Sequence, residues 1–262
     1  MRAPGIAPLR GLPSGGVSDQ ADLLQSSTER REALKKLFHQ AQKCVRCQEL
    51  AATRKNVVFG AGNADADLMF VGEAPGARED EQGLPFVGAA GKLLEKLLGE
   101  IGLERKDVFI ANTLKCRPPG NRDPQPLEIE NCKEYLYGQV ELIQPRVICT
   151  LGNFSTKLLR EDPTGITRLH GQAEVLVVGR RAVRLYPIFH PAAALYTPRM
   201  LETLREDFAR LPELLSLEAP EQPQFPDVPD LADEQPAPES VDGPEEAEED
   251  QSAEEPDQLG LF

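Results

Sequence analysis

Short apolar runs alternate with amphipathic segments along the middle of this 262-residue chain, and this alternation restricts the fold more than any other feature. Helical patterns lie between the runs, for example from Gly91 to Ile101, where leucines recur on one face. The runs are Val57–Phe59, Leu68–Val71, Val108–Ala111 and Val147–Leu151. Strands that alternate with helices predict an α/β protein, a three-layer α/β/α sandwich on a short, mostly parallel sheet.

The flanking segments complete this prediction. A helical pattern begins at Ser27-Thr28, residue types that cap helices, and continues to Cys44. Glu174 to Phe189 predicts a β-hairpin that turns near Gly179-Arg180-Arg181. A last helix is predicted from about Met200 to Leu211.

Composition and charge divide the chain into unlike parts. Residues 1–28 are rich in Gly, Pro and Ser and predict a disordered leader, and residues 29–211 form the predicted folded domain. Up to Arg210 the chain carries all 29 Lys and Arg and 26 of the 43 Asp and Glu, a net charge of +3. From Leu211 onward there are 17 acids and no base, so residues 212–257 predict a disordered acidic tether. The acidic pI of the whole chain therefore does not exclude a basic groove for nucleic acid on the domain.

Hydropathy argues against a membrane location. No apolar run approaches the roughly 20 residues that span a bilayer, and the opening residues lack the apolar stretch of a secretory signal. The expectation is a cytoplasmic protein. Because that compartment is reducing, its five cysteines are better suited to bind a metal than to form disulfides.

Four of the cysteines form a candidate metal centre: Cys44, Cys47, Cys116 and Cys132. A C-x2-C pair can clamp one side of a metal centre, and two further thiolates complete a tetrahedral set. The spacing alone leaves open an iron–sulfur cluster, a zinc ion or unrelated buried cysteines. The fifth, Cys149, lies within an apolar run and predicts core packing.

Polar loops follow three of the predicted strands, where ligands bind in doubly wound sheets. The loop after the second run carries Glu73, Ala74 and Glu79, and it continues to Phe86. Carboxylates in such a cleft can orient water or stabilise a developing cation. The other two loops begin with Asn112 and with His190. On the residues alone Phe86 could be core, Asn112 a turn residue and His190 structural.

Taken together, these segments resemble one family, the family 4 uracil-DNA glycosylases. The similarity extends from about Cys44 to Phe208 and includes GEAPGAREDEQGLPFVGAAGKLL, NTLKCRPPGNRDP, HPAAAL and the C-x2-C…C-x15-C pattern. The resemblance implies base excision repair of uracil-containing DNA, single- or double-stranded. It also implies a [4Fe–4S] cluster on the four cysteines in preference to zinc.

The resemblance further implies roles for the loop residues. Phe86 would stack on an extruded uracil, Asn112 would pair with its edge, and His190 would stabilise the departing anion. Glu79 would orient water or stabilise the sugar cation, and Glu73 and Ala74 would line the substrate site. Ala74 stands where family 1 enzymes carry the aspartate that positions water. The alternatives are a non-catalytic DNA reader and a sister family with a broader base range, although Glu73 favours family 4.

The chain ends with Gln258-Leu259-Gly260-Leu261-Phe262, an apolar cluster after a polar segment. These residues resemble the pentapeptide by which bacterial repair proteins dock on the sliding clamp. In that interpretation Gln258 binds the rim of the clamp pocket, while Leu259, Leu261 and Phe262 fill it. The expectation is a monomeric, nucleoid-associated enzyme that also binds the clamp.

Overall fold

The computed structural model of the chain describes residues 26–224, which contain one six-stranded sheet. Its strands are Ala61–Gly62 (β1), Leu68–Gly72 (β2), Phe109–Asn112 (β3), Val147–Leu151 (β4), Glu174–Val178 (β5) and Arg181–Ile188 (β6). Their order across the sheet is β1-β3-β2-β4-β6-β5. The four central strands are parallel, and β1 and β5 pair antiparallel at the two edges. The mostly parallel sheet predicted from the sequence is confirmed.

Helices connect the strands and cover the sheet. They are Ser27–Gln42 (α1), Gln48–Thr53 (α2), Ala77–Gln82 (α3), Ala89–Glu100 (α4), Pro126–Ile143 (α5), Asn153–Arg160 (α6), Ile166–Leu169 (α7), Pro191–Ala194 (α8), Pro198–Ala209 (α9) and Leu211–Ser216 (α10). Short 3-10 helices lie at Arg105–Asp107 and Pro119–Asn121. In the described part of the chain, no helix combines the length and hydrophobicity needed to cross a membrane.

The sheet separates two hydrophobic cores, which makes the fold a three-layer sandwich. Met69 and Val71 of β2 pack into the core that holds α1 and α5, whereas Leu68 and Phe70 pack into the core that holds α4 and α9. Successive side chains of a strand point to opposite faces. A strand buried on both faces therefore reads as a continuous apolar run, which is why the sequence revealed β2, β3 and β4.

One predicted strand is wrong. Val57–Phe59 is buried but is not a strand, and the edge strand β1 begins two residues later at Ala61. The Val58 N–H donates to the Lys115 carbonyl at 2.7 Å, so this run packs against the loop after β3 instead of joining the sheet. Burial alone explains its apolar character.

The ends of the predicted domain also differ from the sequence expectation. Ser26, not Ser27-Thr28, caps α1, and its hydroxyl and the Glu29 carboxylate form a reciprocal capping box. The predicted last helix is α9, and a further helix that was not predicted, α10, continues the fold past residue 211. Its Leu211 and Leu214 are buried in the core beside α9, and Pro212 fits the first turn, where no N–H is needed. Most of the predicted leader, tether and terminal pentapeptide lies outside the described residues.

Candidate active site

The carboxyl ends of the parallel strands bring the predicted loops to one edge of the sheet. Gly72 ends β2 and pairs in register with Asn112 at the end of β3. His190 follows β6 by two residues, and the Gly152 N–H after β4 donates to the Ile188 carbonyl. This is the edge where open α/β sheets bind ligands.

Asn112 presents an acceptor without a partner. The residue is 2% exposed, and among the described residues nothing donates a hydrogen bond to the buried Oδ1 atom. A buried acceptor that lacks a donor costs about 1–3 kcal/mol. The backbone carbonyl of the same residue accepts from the Lys115 ammonium at 2.8 Å, so the main chain at this point is firmly held. The site therefore holds a fixed acceptor ready for a donor on a ligand.

Gly72 lets Phe86 and Asn112 approach each other. A Cβ placed on Gly72 would lie 2.4 Å from Asn112 Oδ1 and 2.9 Å from two ring carbons of Phe86. Those distances are too short for any side chain, so both groups rest against the bare Cα of Gly72. The structure thus joins two residues that the sequence separates by a helix and a strand.

The Phe86 ring faces the imidazole of His190. The ring centroids are 5.6 Å apart and the ring planes differ by 29°, a stacked arrangement. Phe86 is 5% exposed and also packs in the core with α4, so its burial and its place at the site are compatible. Two aromatic rings and one carboxamide therefore border the same space.

His190 is set up as a neutral hydrogen-bond donor. Its Nδ1 accepts the N–H of Ala192 at 3.1 Å, which leaves the proton on Nε2. Burial lowers the pKa of His190 to about 4, and the nearby Glu79 carboxylate opposes this shift only in part. Gly152, with φ +93°, lies so close that a Cβ there would be 3.2 Å from the His190 Cβ. At neutral pH the imidazole is uncharged and offers Nε2–H.

Glu79 is held by the loop that leads into α4. One carboxylate oxygen accepts the N–H groups of Val87 at 3.1 Å and Gly88 at 2.9 Å. The other lies where a Cβ on Gly76 would be only 2.7 Å away. The predicted catalytic carboxylate therefore also anchors the segment that carries Phe86.

Glu73 and Ala74 lie half-buried beside Gly72. Burial raises the pKa of Glu73, and the charge of Asp123 adds to the rise. The Glu73 carbonyl accepts the Leu114 N–H at 3.0 Å, which fixes this loop against the one after β3. Both residues thus occupy the predicted edge.

The four candidate metal ligands come from separate elements. They follow α1 (Cys44), cap α2 (Cys47), follow β3 (Cys116) and lie within α5 (Cys132). N–H groups point at three of the sulfurs: Lys115 N–H to Cys132 at 3.3 Å, Arg54 to Cys116 at 3.4 Å and Asn131 to Cys47 at 3.6 Å. Hydrogen bonds of this kind stabilise metal-bound thiolates.

Burial and a neighbouring cation act on the pKa of these thiols in opposite directions. Burial raises the pKa of Cys132 to about 11, and the buried Lys115, whose own pKa burial lowers to about 8, opposes that rise. Within residues 26–224 no three Cys, His, Asp or Glu side chains converge as a single ion requires. Among the described residues the four cysteines are therefore a candidate ligand set and not a formed ion site. Cys149 is buried in β4, as the sequence predicted.

Several residues that shape the site were not predicted. Gly152 could have been found, since a glycine directly after an apolar strand signals a close approach at this edge. Lys115 lies inside the NTLKCRPPGNRDP motif, but the motif gave it no role. Arg105, whose guanidinium binds the backbone beside Phe86, is 19 residues away along the chain and gave no signal.

Two stacked aromatic rings and a carboxamide with an unpaired oxygen, at the carboxyl ends of a parallel sheet, are suited to a planar ring with a hydrogen-bonding edge. The family model of the Uracil DNA glycosylase superfamily matches residues 59–212, and the chain belongs to this superfamily.

Within this superfamily the chain is similar to several type-4 uracil-DNA glycosylases. Over 188 residues the chain is 46% identical to a type-4 uracil-DNA glycosylase of Sulfurisphaera tokodaii, an alignment that covers 70% of this chain and 85% of that protein. It is 44% identical over 193 residues to the type-4 enzyme of Archaeoglobus fulgidus, covering 72% and 96%. It is 47% identical over 182 residues to that of Saccharolobus solfataricus, covering 68% and 84%. The resemblance predicted from the sequence motifs is confirmed.

Proposed function

We propose that this chain is a DNA repair glycosylase that extrudes deoxyuridine from DNA and hydrolyses its N-glycosidic bond, leaving an abasic site. The observation that carries this proposal is the unpartnered Oδ1 of Asn112 beside the stacked rings of Phe86 and His190. The similarity to type-4 uracil-DNA glycosylases supports it. Extruding the nucleotide costs a few kcal/mol, and uracil opposite guanine is easier to extrude because its pairing is weak.

Base recognition follows from the carboxamide. Asn112 Oδ1 accepts uracil N3–H while its amide donates to O4, and the Phe86 face stacks on the ring. Cytosine presents the reverse pattern and leaves buried groups unpaired, a mismatch that discriminates by ~10⁴-fold. Thymine shares uracil's pairing edge, so its exclusion must be steric at C5.

Bond cleavage uses the neutral imidazole. The C1′–N1 bond breaks, its electron pair goes to uracil, and an oxocarbenium-like sugar remains. His190 donates Nε2–H to uracil O2, and this hydrogen bond strengthens as negative charge develops. Water adds to C1′ and loses a proton, and uracil N1 gains one. Glu79 orients that water or stabilises the sugar cation with the oxygen that faces Gly76.

We assign a [4Fe–4S] cluster to the four cysteines, with zinc as the alternative: Cys44, Cys47, Cys116 and Cys132. The fit rests on four thiols with N–H donors aimed at three of them and a buried ammonium nearby. Bound there, the cluster would fasten the ends of α1 and α2 to α5 and to the loop after β3. The steps of hydrolysis require only the residues at the sheet edge.

The substrate assay tests the activity directly. Oligonucleotides with uracil opposite guanine or adenine, or in a single strand, should each yield free uracil under single-turnover conditions. Matched oligonucleotides with thymine or cytosine at the same position should yield none. Tight binding of uracil-containing DNA without release would instead identify a non-catalytic reader. Release of hypoxanthine or xanthine at a similar rate would identify a broader base range.

The terminal pentapeptide Gln258–Phe262 supports a second role, docking on a bacterial sliding clamp in the cytoplasm. Gln258 would contact the pocket rim, and Leu259, Leu261 and Phe262 would fill the pocket. Residues 225–257 would connect it to the domain, and linkage to a clamp raises the effective concentration of the enzyme at DNA. The glycosylase domain itself acts as a monomer in this scheme.

Deletion of residues 258–262 tests clamp docking. The truncated chain should lose binding to purified clamp in a pull-down and keep full activity on short free oligonucleotides. The control is a chain of equal length whose last five residues are Ser and Gly. Undiminished clamp binding by the deletion would rule the docking role out.

A further inference from the structure

The backbone at Phe86 adopts a conformation that bulky side chains disfavour. Its φ is +53°, in the left-handed region that glycine prefers. Such a residue keeps this conformation only when its surroundings impose it. Because the Phe86 ring forms a wall of the site, what imposes the conformation also sets the position of the ring.

Arg105 binds the two carbonyls that bracket this turn. Its guanidinium donates to the Phe86 carbonyl at 3.1 Å and to the Pro85 carbonyl through a second nitrogen. Arg105 begins the 3-10 helix Arg105–Asp107, which leads directly into β3 and Asn112. One side chain therefore connects the backbone of the stacking residue to the strand that carries the pairing residue.

Helix α4 packs against the Phe86 carbonyl as well. A Cβ on Gly91 would lie 1.8 Å from the Phe86 oxygen, so α4 contacts that oxygen through a residue with no side chain. Without Arg105 the two carbonyls would be left in a closely packed place with no donor, which is unfavourable. Arg105 therefore holds the turn at its carbonyls, while Glu79 holds the N–H groups of the two residues that follow.

The chemistry of Arg105 suits the task. Its side chain is only 26% exposed, and burial lowers its pKa, a shift opposed by Glu95 at 3.3 Å. A guanidinium stays charged when buried and presents several donors in a rigid plane, so it can bind two carbonyls at once. A lysine ammonium is a single point on a flexible stem and cannot reproduce this geometry.

We propose that Arg105 is a positioning residue for base capture: by bracing the Pro85 and Phe86 carbonyls, it holds the Phe86 ring against Gly72 and opposite His190. This inference rests on the proposed uracil-DNA glycosylase function. Arg105 touches no substrate and acts only through Phe86.

A double-mutant cycle tests the inference on the full chain. Arg105→Ala and Arg105→Lys should each raise KM for uracil-containing DNA about tenfold, the scale of losing one base–aromatic stack, with a smaller change in kcat. Because Arg105 acts through the ring, Arg105→Ala combined with Phe86→Ala should be no worse than Phe86→Ala alone. A merely structural role would give losses that add.

Two controls isolate the carbonyl contacts. Glu95→Gln removes the ion pair with Arg105 but keeps both of its bonds to carbonyls. Arg205→Ala removes a surface arginine that pairs with Glu100, which lies on α4 like Glu95. Both should keep KM near the wild-type value, and thermal unfolding of every variant reports its folding.

Wild-type KM in Arg105→Lys, or additive losses in the double variant, would overturn this inference and leave the proposed function standing. Absence of uracil release by the wild-type chain would overturn both.

Discussion

The edge of the sheet and the cysteine-bearing region are built in different ways. At the edge, Asn112 and Phe86 are almost fully buried and lie against a strand end, so packing and backbone hydrogen bonds fix their positions. The cysteines instead lie in two loops, at a helix cap and in α5, and between Cys47 and the loop of Cys116 the helix α2 buries only Leu50. The comparison shows that packing at the strand ends holds the candidate site in place, while the proposed metal group would add links between the cysteine-bearing segments.

The largest expected effect falls on the edge. Asn112→Ala and His190→Ala should each lower the single-turnover rate of uracil release by about 10²-fold or more, the usual cost of losing a donor to the transition state. Iron content and melting temperature should stay near wild-type values. The control is His39→Ala, an exposed histidine on α1. Full rates in both variants would show that the edge is not the catalytic site.

A smaller loss of rate is expected when a methyl group is placed between Asn112 and Phe86. Gly72→Ala puts a Cβ 2.4 Å from Asn112 Oδ1, and the resulting displacement should lower the release rate by about tenfold or more. Gly99→Ala in α4 is the matched control, because a Cβ there meets nothing within 4 Å. If Gly72→Ala releases uracil as fast as Gly99→Ala, the tight packing at the edge is not needed for the rate.

A substitution in the cysteine region should lower the stability of the protein more than it lowers the rate of uracil release. Anaerobically purified protein should contain about four irons per chain, and Cys132→Ser should lose iron and melt at a lower temperature. The fraction that remains folded should release uracil within a few-fold of the wild-type rate. Cys149→Ser is the control for a buried cysteine outside the cluster. Stoichiometric zinc without iron in the wild-type chain would contradict the cluster assignment.

The smallest effect concerns pH. The pKa of His190 is about 4 in the folded chain, below its ordinary value near 6.5, so the imidazole stays neutral throughout the range from pH 6 to 9. The rate of release should show no inflection near pH 6.5. The unfolded chain binds the proton more readily, so this residue should lower stability as pH falls from about 6.5 toward 4. A proton NMR titration of His190, with His190→Ala to assign the signal, measures the pKa.

The sequence predicted those parts of the structure that depend on local pattern. Strands β2, β3 and β4 are buried on both faces, so each could be predicted from its apolar run. The hairpin of β5 and β6 turns at Gly179 as expected. Val57–Phe59 has the same composition without being a strand, because burial and strand pairing leave the same apolar signal. Helix α10 was missed because the acidic composition around it hid the two leucines that it buries.

The site was predicted in its residues but not in its geometry. The motifs named Phe86, Asn112 and His190, and the structure brings all three to the predicted edge. Their roles stay predictions. That Glu79 binds the backbone of Val87 and Gly88 could not be predicted, since contacts of this kind depend on how a loop closes and not on residue type.

The five-residue segment from Asn112 to Cys116 belongs to both the edge of the sheet and the cysteine region. Lys115 reaches back to the Asn112 carbonyl and forward to Gln139 of α5, while its N–H points at the sulfur of Cys132. An inserted or deleted residue here would shift the predicted base-reading amide of Asn112 and the candidate metal ligand Cys116 together, and no single later substitution could restore both. A change in the length of this segment is therefore expected to disturb both regions at once, whereas a substitution that keeps its spacing can leave one of them intact.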